Sequence, residues 1–217
     1  MAPPAVAIFD VNETLSDLTP LAARLEEVGA PAELLPTWFA ATLRDGIALA
    51  ASGSYEDFRD VGRANLLRLL GTPEAAEHVL EGFGSLPVHP DVPEGLRVLD
   101  GAGIRIATLT NGSTQIARGL LERAGVESVV ERHLDVSEVR RWKPAPEPYL
   151  YACAELGVEP SEAVLIAVHP WDVHGAMRAG LRGAWLDRDG LAWPEVFERP
   201  NVSAPDLPAL ASSIMAA

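Results

Sequence analysis

Short apolar runs that alternate with helical patterns are the feature of this sequence that most constrains its fold. The apolar runs have the length and composition of strands buried on both faces of a parallel sheet. They are Val6–Phe9, Arg105–Thr110, 164–168 and 183–186. The helical patterns 115–124, 146–156 and 173–179 each stop at a glycine, the usual residue just past a helix end. These repeated units predict an α/β fold with right-handed parallel crossovers.

Residues 16–87 interrupt this alternation, because they contain helical patterns and little strand signal. Ser54 is the predicted N-cap of a helix that ends at Leu70, and Thr72 is the predicted N-cap of the next helix. Residues 86–90 are predicted to lead back to the sheet. We therefore expect a helical insert that follows the first strand and overhangs the carboxyl edge of the sheet.

Composition limits both the size of the fold and the class of partner. The chain has 217 residues, of which 48% are hydrophobic, and this suits one compact domain with a smaller insert. The formal net charge of -14 argues against nucleic-acid or membrane partners, since both require clustered Lys and Arg. No apolar stretch has the length of a membrane span, no secretory pattern opens the sequence, and there is one cysteine. We therefore expect a cytoplasmic protein.

Polar side chains follow the predicted strands at the points where they end. In chain order they are Asp10 with Asn12 and Thr14, then Thr110 to Ser113, then Lys143, then His169 with Asp172. The carboxyl ends of parallel strands share one edge, and open α/β sheets bind their ligands there. A carboxylate at this edge can act as an acceptor, a metal ligand or a nucleophile. For a single strand-end Asp, capping of the next helix is the common alternative.

The order and spacing of these motifs resemble the haloacid dehalogenase superfamily over nearly the whole chain. Within it, the sequence is most similar to the type II 2-haloacid dehalogenase branch. The narrower resemblance rests on 9–15, Leu43-Arg44, 55–58, 109–113, Lys143-Pro144 with Tyr149, and Trp171-Asp172 with Gly175-Ala176. It implies a Rossmann-like parallel-sheet core over residues 1–15 and 88–217, with an inserted α-helical cap over residues 16–87.

Asn12 bears on which reaction is expected. Phosphatases of this superfamily have a second Asp at this position, which protonates the leaving alkoxide, and Asp172 would help to bind their Mg²⁺. Asn cannot transfer a proton in that way, whereas a halide leaving group needs no proton. The resemblance and Asn12 together predict a hydrolase that releases halide from short 2-haloalkanoic acids and needs no metal or other cofactor. A weak Mg²⁺-dependent phosphatase is one alternative.

The resemblance also implies the roles of the site residues. Asp10 attacks the carbon that bears the halogen, and water then hydrolyses the resulting ester. Lys143 keeps Asp10 ionised, Asp172 orients Lys143 and the water, and Thr14 hydrogen-bonds the nucleophile. The predicted substrate-binding residues are Asn12, Arg44, Phe58, Thr110, Asn111, Gly112, Ser113, Tyr149 and Trp171. Among them, Asn111 is expected to donate to the halide, and the backbone N–H groups after it to bind an anion.

Four of these residues keep two interpretations each. Phe58 either lines the wall around the halogen or is an ordinary packing residue of its helix, and Trp171 either packs against the substrate pocket or wedges its loop. His169 stands where the dehalogenase pattern often has Asn, and Ala167 where it has Ser. His169 is therefore either a general base for the water or a hydrogen-bonding spacer before Pro170. Arg44 is expected to reach from the insert to the halide or the carboxylate of the substrate, although an isolated helical Arg is usually a solvated surface group.

Two further hypotheses concern the whole protein. One is the same displacement on another small 2-substituted acid, for which the changes at Ala167 and His169 leave room. The other is a ligand-binding protein without activity, which the retention of Asp10, Lys143 and Asp172 argues against. In every hypothesis in which the protein is an enzyme, its partner is a small anionic substrate. A local positive site would attract this substrate. A homodimer is expected, since dimers are common among soluble oligomers.

Overall fold

A computed structural model of the protein describes residues 3–216, and these contain one six-stranded sheet. The strands are β1 (Val6–Phe9), β2 (Arg105–Thr110), β3 (Arg132–Asp135), β4 (Ala163–Ala167), β5 (Arg182–Leu186) and β6 (Val202–Ala204). All neighbouring pairs are parallel, and their order is β3-β2-β1-β4-β5-β6. This is the doubly wound order of Rossmann-like folds, so the predicted fold class is confirmed.

The position of β1 in this order determines where the site lies. β1 lies between β2 and β4, and all four of its residues are fully buried. Phe9 is aligned with Thr108 of β2 on one side and with Ile166 of β4 on the other. Asp10, the next residue, therefore leaves the sheet at the middle of its carboxyl edge.

Four helices form the cap that follows β1. They are α1 (Pro20–Glu27), α2 (Leu34–Ala51), α3 (Phe58–Leu70) and α4 (Pro73–Glu81), and a short 3-10 turn over Gly82–Ser85 closes the segment. The two connections to the core run side by side, with Asp17 N–H donating to Pro87 O at 2.9 Å and His89 N–H donating to Leu15 O at 2.9 Å. The helical insert is therefore present, whereas the domain boundaries at 15/16 and 87/88 stay a prediction.

The core helices cover the two faces of the sheet. They are α5 (Val92–Gly101), α6 (Thr114–Arg123), α7 (Pro146–Leu156), α8 (Pro170–Arg178) and α9 (Leu207–Ala216). None of the helices within the described part of the chain is long and apolar enough to cross a membrane.

Local signals explain which predicted element ends are found. Thr72 caps α4 as predicted, since its hydroxyl accepts a hydrogen bond from Ala75 N–H at 3.3 Å. The predicted cap at Ser54 is wrong, because Asp57 holds the N-cap position of α3 in an extended conformation. Ser54 instead helps to end α2, where its N–H donates to Leu49 O at 2.8 Å.

Candidate active site

Lys143 is the centre of a buried network of charges. Its ammonium group donates to Asp10 Oδ1 at 2.8 Å, to Asp172 Oδ2 at 2.6 Å and to the Leu109 carbonyl at 2.9 Å. The Lys143 and Asp172 side chains are fully buried, and that of Asp10 is 6% exposed. An ammonium group has three N–H donors, so all of them are used.

Separate elements of the core position these three charges. Asp10 extends β1 by one residue, and its N–H donates to Ile166 O at 3.0 Å. Asp172 lies in the first turn of α8. Asn111, just after β2, holds the Lys143 backbone: its Oδ1 accepts from Lys143 N–H at 2.9 Å, and its Nδ2 donates to Lys143 O at 3.5 Å. The structure thus gives Asn111 a positioning contact in addition to the proposed contact with halide.

Two hydroxyl groups complete the network. Thr14 Oγ1 donates to Asp10 Oδ2 at 2.7 Å and accepts from Val168 N–H at 3.1 Å. Tyr149 donates its phenolic O–H to Asp172 Oδ1 at 2.6 Å. Both oxygens of Asp172 therefore accept from donors, which is the arrangement of an ionised carboxylate. Tyr149 was predicted to bind substrate, but the structure places its hydroxyl against Asp172.

Electrostatics favour an ionised Asp10. Burial alone would raise the pKa of Asp10, but the nearby Lys143 and His169 outweigh it and hold that pKa below its usual value. Burial would likewise lower the pKa of Lys143, and the carboxylates of Asp10 and Asp172 reverse this and raise it. Burial also raises the pKa of Asp172, against the attraction of Lys143. A charged, desolvated Asp10 is the state that a nucleophilic carboxylate requires.

His169 lies on the other side of Asp10 from Lys143. Its Nε2 is 3.3 Å from Asn12 O, 3.6 Å from Glu13 Oε2 and 3.7 Å from Asp10 Oδ2. Its ring stacks on Trp171, with centroids 5.1 Å apart. The position of Trp171 is therefore beside His169, which it orients, and not within either cavity described below.

Two residues next to His169 were missed by sequence reasoning. Phe39 of α2 also stacks on the His169 ring, with centroids 6.3 Å apart. Glu13 has a φ of 63°, which is uncommon outside glycine, and burial raises the pKa of its carboxyl group. In the sequence, a lone Phe in a helical pattern and a polar residue in a turn give no sign of a site. Their contact with His169 is visible only in the structure, where the cap meets the core.

Two cavities flank the Asp10 network. The first, called the substrate cavity below, has a volume of about 420 Å³ and contains five of the predicted substrate-binding residues. These are Asn12, Phe58, Thr110, Gly112 and Ser113. The second, called the His169 cavity, has a volume of about 360 Å³ and is lined by Glu13, Phe39 and His169 among others. Asp10 itself lines neither cavity, but its chain neighbours do: Asn12 lines the substrate cavity and Glu13 lines the His169 cavity.

An anion site was predicted at the start of α6, but several N–H groups there donate within the protein. Thr114 N–H donates to Asp135 Oδ2 at 3.1 Å. Gly112 N–H donates to Thr110 Oγ1 at 2.9 Å, and Ser113 Oγ caps α6 by accepting from Gln115 N–H at 3.2 Å. A Cβ added to Gly112 would lie 3.2 Å from Thr110 Oγ1, so a larger residue would crowd this wall of the cavity.

Arg44 is the predicted residue that the structure does not bring to the site. Its guanidinium pairs with Asp45 Oδ1 at 2.7 Å, and its side chain is 65% exposed. Phe39 of the same helix does face the site, and five residues of α-helix turn the chain roughly 140° from it. Arg44 therefore points to a different side of α2. Within residues 3–216, no group of three or more His, Cys, Asp or Glu side chains is arranged to hold a metal ion.

Comparison with known proteins agrees with this geometry. The haloacid dehalogenase-like hydrolase family matches residues 4–180. The (S)-2-haloacid dehalogenase 1 of Pseudomonas sp. (strain CBS-3) is 28% identical over 196 residues, which cover 87% of this chain and 86% of that protein. The haloacetate dehalogenase H-2 of Moraxella sp. (strain B) is 27% identical over 210 residues, with 93% and 94% covered.

A solved structure gives the same result for the fold. The L-2-haloacid dehalogenase from Xanthobacter autotrophicus superimposes with a TM-score of 0.86 at 25% identity, over 99% of this chain and 98% of that one. The sequence match, the sheet order and the buried Asp10–Lys143–Asp172 network all agree, and we conclude that the chain belongs to the haloacid dehalogenase-like hydrolase family.

Proposed function

We propose that the protein is a hydrolytic 2-haloacid dehalogenase that works through an ester on Asp10. The observation that carries the proposal is the Asp10 carboxylate, buried and held by Lys143 at 2.8 Å and Thr14 at 2.7 Å beside a cavity. Asn12, two residues on, cannot protonate an alkoxide leaving group, and halide needs no proton. The activities named for the relatives support the same reaction.

In the first half-reaction, an oxygen of Asp10 attacks C2 of the substrate. The new C–O bond forms as the carbon–halogen bond breaks, and the halide leaves with the bonding electron pair. Lys143 keeps Asp10 charged and aligned for this attack. The substrate carboxylate binds the polar wall of the substrate cavity formed by Asn12, Thr110 and Ser113.

In the second half-reaction, water attacks Cγ of the Asp10 ester and releases a 2-hydroxy acid. Esterification neutralises Asp10, whose Oδ2 lies 3.7 Å from His169 Nε2. Neutral His169 then takes a proton from a water in the His169 cavity, and the imidazolium that forms is stabilised by Glu13 at 3.6 Å. This proton passes to the departing alkoxide, and the regenerated Asp10 acid loses its own proton to solvent.

The test is release of halide and hydroxy acid from racemic 2-chloropropionate and from chloroacetate in EDTA. We expect turnover in the wild type and none in Asp10→Asn, with deamidation excluded by mass spectrometry. His169→Gln should give a stoichiometric burst of halide and then accumulate a covalent adduct on the peptide that contains Asp10. Wild-type turnover in Asp10→Asn would overturn the role of Asp10 as nucleophile. Unchanged turnover in His169→Gln would overturn the role of His169 as general base.

Two other reactions remain as alternatives. A Mg²⁺-dependent phosphatase is favoured by one observation, the two carboxylates of Asp10 and Asp172 on the same ammonium group. Strong Mg²⁺-stimulated hydrolysis of several phosphate esters would replace the dehalogenase by this candidate. Displacement on another small 2-substituted acid would leave the role of Asp10 unchanged and would appear as turnover without halide.

The setting of the enzyme is part of the proposal. A dehalogenase of this kind would need no metal or cofactor, and its partner would be the small anionic substrate. We place it in the cytoplasm as a homodimer, with a single cysteine that suits a reducing compartment. Light scattering of the purified protein gives its oligomeric state, and unchanged turnover after exhaustive chelation tests the cofactor requirement.

A further inference from the structure

The substrate cavity has a polar end and an apolar end. Asn12, Thr110 and Gly112 are neighbours, because a Cβ added to Gly112 would lie 3.2 Å from Thr110 Oγ1 and 3.6 Å from Asn12 Nδ2, and with Ser113 they form the polar end. Core and cap together supply the apolar lining, which consists of Val11, Phe58, Leu80, Phe83 and Ile116. Phe58 and Phe83 meet edge to face, with ring centroids 5.7 Å apart. The halogen and the carboxylate of a substrate fit the polar end, which leaves the apolar end for the rest of the molecule.

The cavity is larger than a short haloacid needs. Its volume of about 420 Å³ equals that of roughly fourteen water molecules at ~30 Å³ each. Chloroacetate has no substituent on C2, and 2-chloropropionate has only a methyl group. Either would leave the space against Leu80, Phe83 and Ile116 to water. Filling that space with carbon removes apolar surface from water and strengthens binding.

The charges at the rim disfavour a second acidic group on the substrate. Asp57 and Asp135 are both among the lining residues. The cation among them, Arg59, is paired with Glu77. A dicarboxylate would place its second charge near these two acids, whereas an uncharged tail brings no charge near them and can lie against Leu80, Phe83 and Ile116.

We infer that the preferred substrates are 2-haloacids whose C2 carries a longer alkyl chain or an aryl group. This inference rests on the proposed function, because it assigns the occupant of the same site. The C2 substituent lies against Leu80, Phe83 and Ile116, and these residues set the chain length that is accepted.

The test is the series from 2-bromobutanoate to 2-bromohexanoate, in which the reactivity of the C–Br bond is nearly constant. We expect kcat/KM to rise about fourfold per methylene, the equivalent of ~0.8 kcal/mol for each buried CH₂. Ile116→Phe should lower the ratio of hexanoate to butanoate at least tenfold, and Leu80→Ala should move the optimum to longer chains. Leu69→Phe, at a position 42% exposed on α3, is the matched control and should leave both the ratio and the activity unchanged.

Different results would contradict the chain-length inference and the proposed function. A kcat/KM that is flat or falls along the series overturns the inference, since bromide release itself would uphold the proposed function. A ratio unchanged in folded Ile116→Phe and Leu80→Ala also overturns it. Absence of bromide release from every acid in the series overturns the proposed function and this inference with it.

Discussion

Trp142 occupies the space that a side chain at Gly46 would need. A Cβ added to Gly46 would lie 2.3 Å from two ring carbons of Trp142, whose side chain is fully buried. The indole N–H donates to Glu56 O in the cap at 2.9 Å, and the ring stacks on Phe58 at 5.8 Å. Because Lys143 directly follows Trp142, one contact both docks the cap and fixes the backbone that carries the ammonium group.

Gly46→Ala should therefore weaken both stability and catalysis. Overpacking of this kind costs about 1–3 kcal/mol, and relief of the clash would displace Trp142 and with it Lys143. Denaturant unfolding gives the first quantity and kcat the second. Gly101→Ala is the control, since an added Cβ there meets open space, and it should change neither. Wild-type stability and kcat in Gly46→Ala would contradict the tight packing of Trp142 on α2.

Thr14→Val tests the hydroxyl that aligns the nucleophile. The substitution removes the donor to Asp10 Oδ2 and leaves Val168 N–H without its acceptor. An unsatisfied buried donor costs about 1–3 kcal/mol, so the free energy of unfolding should fall by that amount and kcat should fall at least tenfold. Thr14→Ser keeps the hydroxyl and should retain most of the activity. Wild-type stability and kcat in Thr14→Val would contradict a role for this hydroxyl.

The depressed pKa of Asp10 predicts how ester formation depends on pH. Burial alone would raise this pKa, but Lys143 and His169 together lower it by more than burial raises it. A carboxyl group of this kind is ionised, and stabilises the fold, above its unfolded-state pKa of ~3.9, and both effects are lost as the pH falls through the lower folded value. We expect the single-turnover halide burst to keep its rate from neutral pH down to about pH 5. A burst rate that already falls between those values would contradict an Asp10 held ionised by its neighbours.

Arg44→Ala distinguishes the observed surface position from the substrate contact that was predicted from sequence. Arg44 pairs with the adjacent Asp45 and is largely exposed, and solvent screening leaves such surface pairs with little effect on stability. We expect kcat and KM within about twofold of the wild type, because no contact with the site is lost. Phe39→Ala, on the side of α2 that faces His169, should lower kcat/KM. A large rise of KM in Arg44→Ala would instead support the predicted contact between Arg44 and the substrate.

Much of the fold followed from local patterns in the sequence. The four predicted strands are present within one residue at each end, because each is a run of apolar residues buried on both faces. β3 and β6 were missed for a physical reason. β3 has three polar residues among its four, β6 has three residues in all, and both lie at the sheet edges, where partner strands rather than composition decide the structure.

The part of the candidate site that lies at or after the carboxyl ends of the strands was predictable from the sequence. Asp10, Thr14, Lys143 and Asp172 meet as expected. The side of a cap helix that faces the site depends on how the cap docks on the core. The motif at Leu43-Arg44 does not contain this information, so the position of Arg44 was predicted wrongly. The same reason hid Phe39 and Glu13, whose neighbour His169 is 130 or more positions away in the chain.

The central claim is that water attacks the ester on Asp10 and not the substrate carbon. A single turnover in H₂¹⁸O, with enzyme in excess over 2-chloropropionate, separates the two directly. We predict that the label enters the Asp10 carboxyl group, found by mass spectrometry of its peptide, and that the 2-hydroxy acid from this first turnover carries none. Label in the hydroxyl group of the product, with an unlabelled Asp10 peptide, would contradict the aspartyl-ester mechanism.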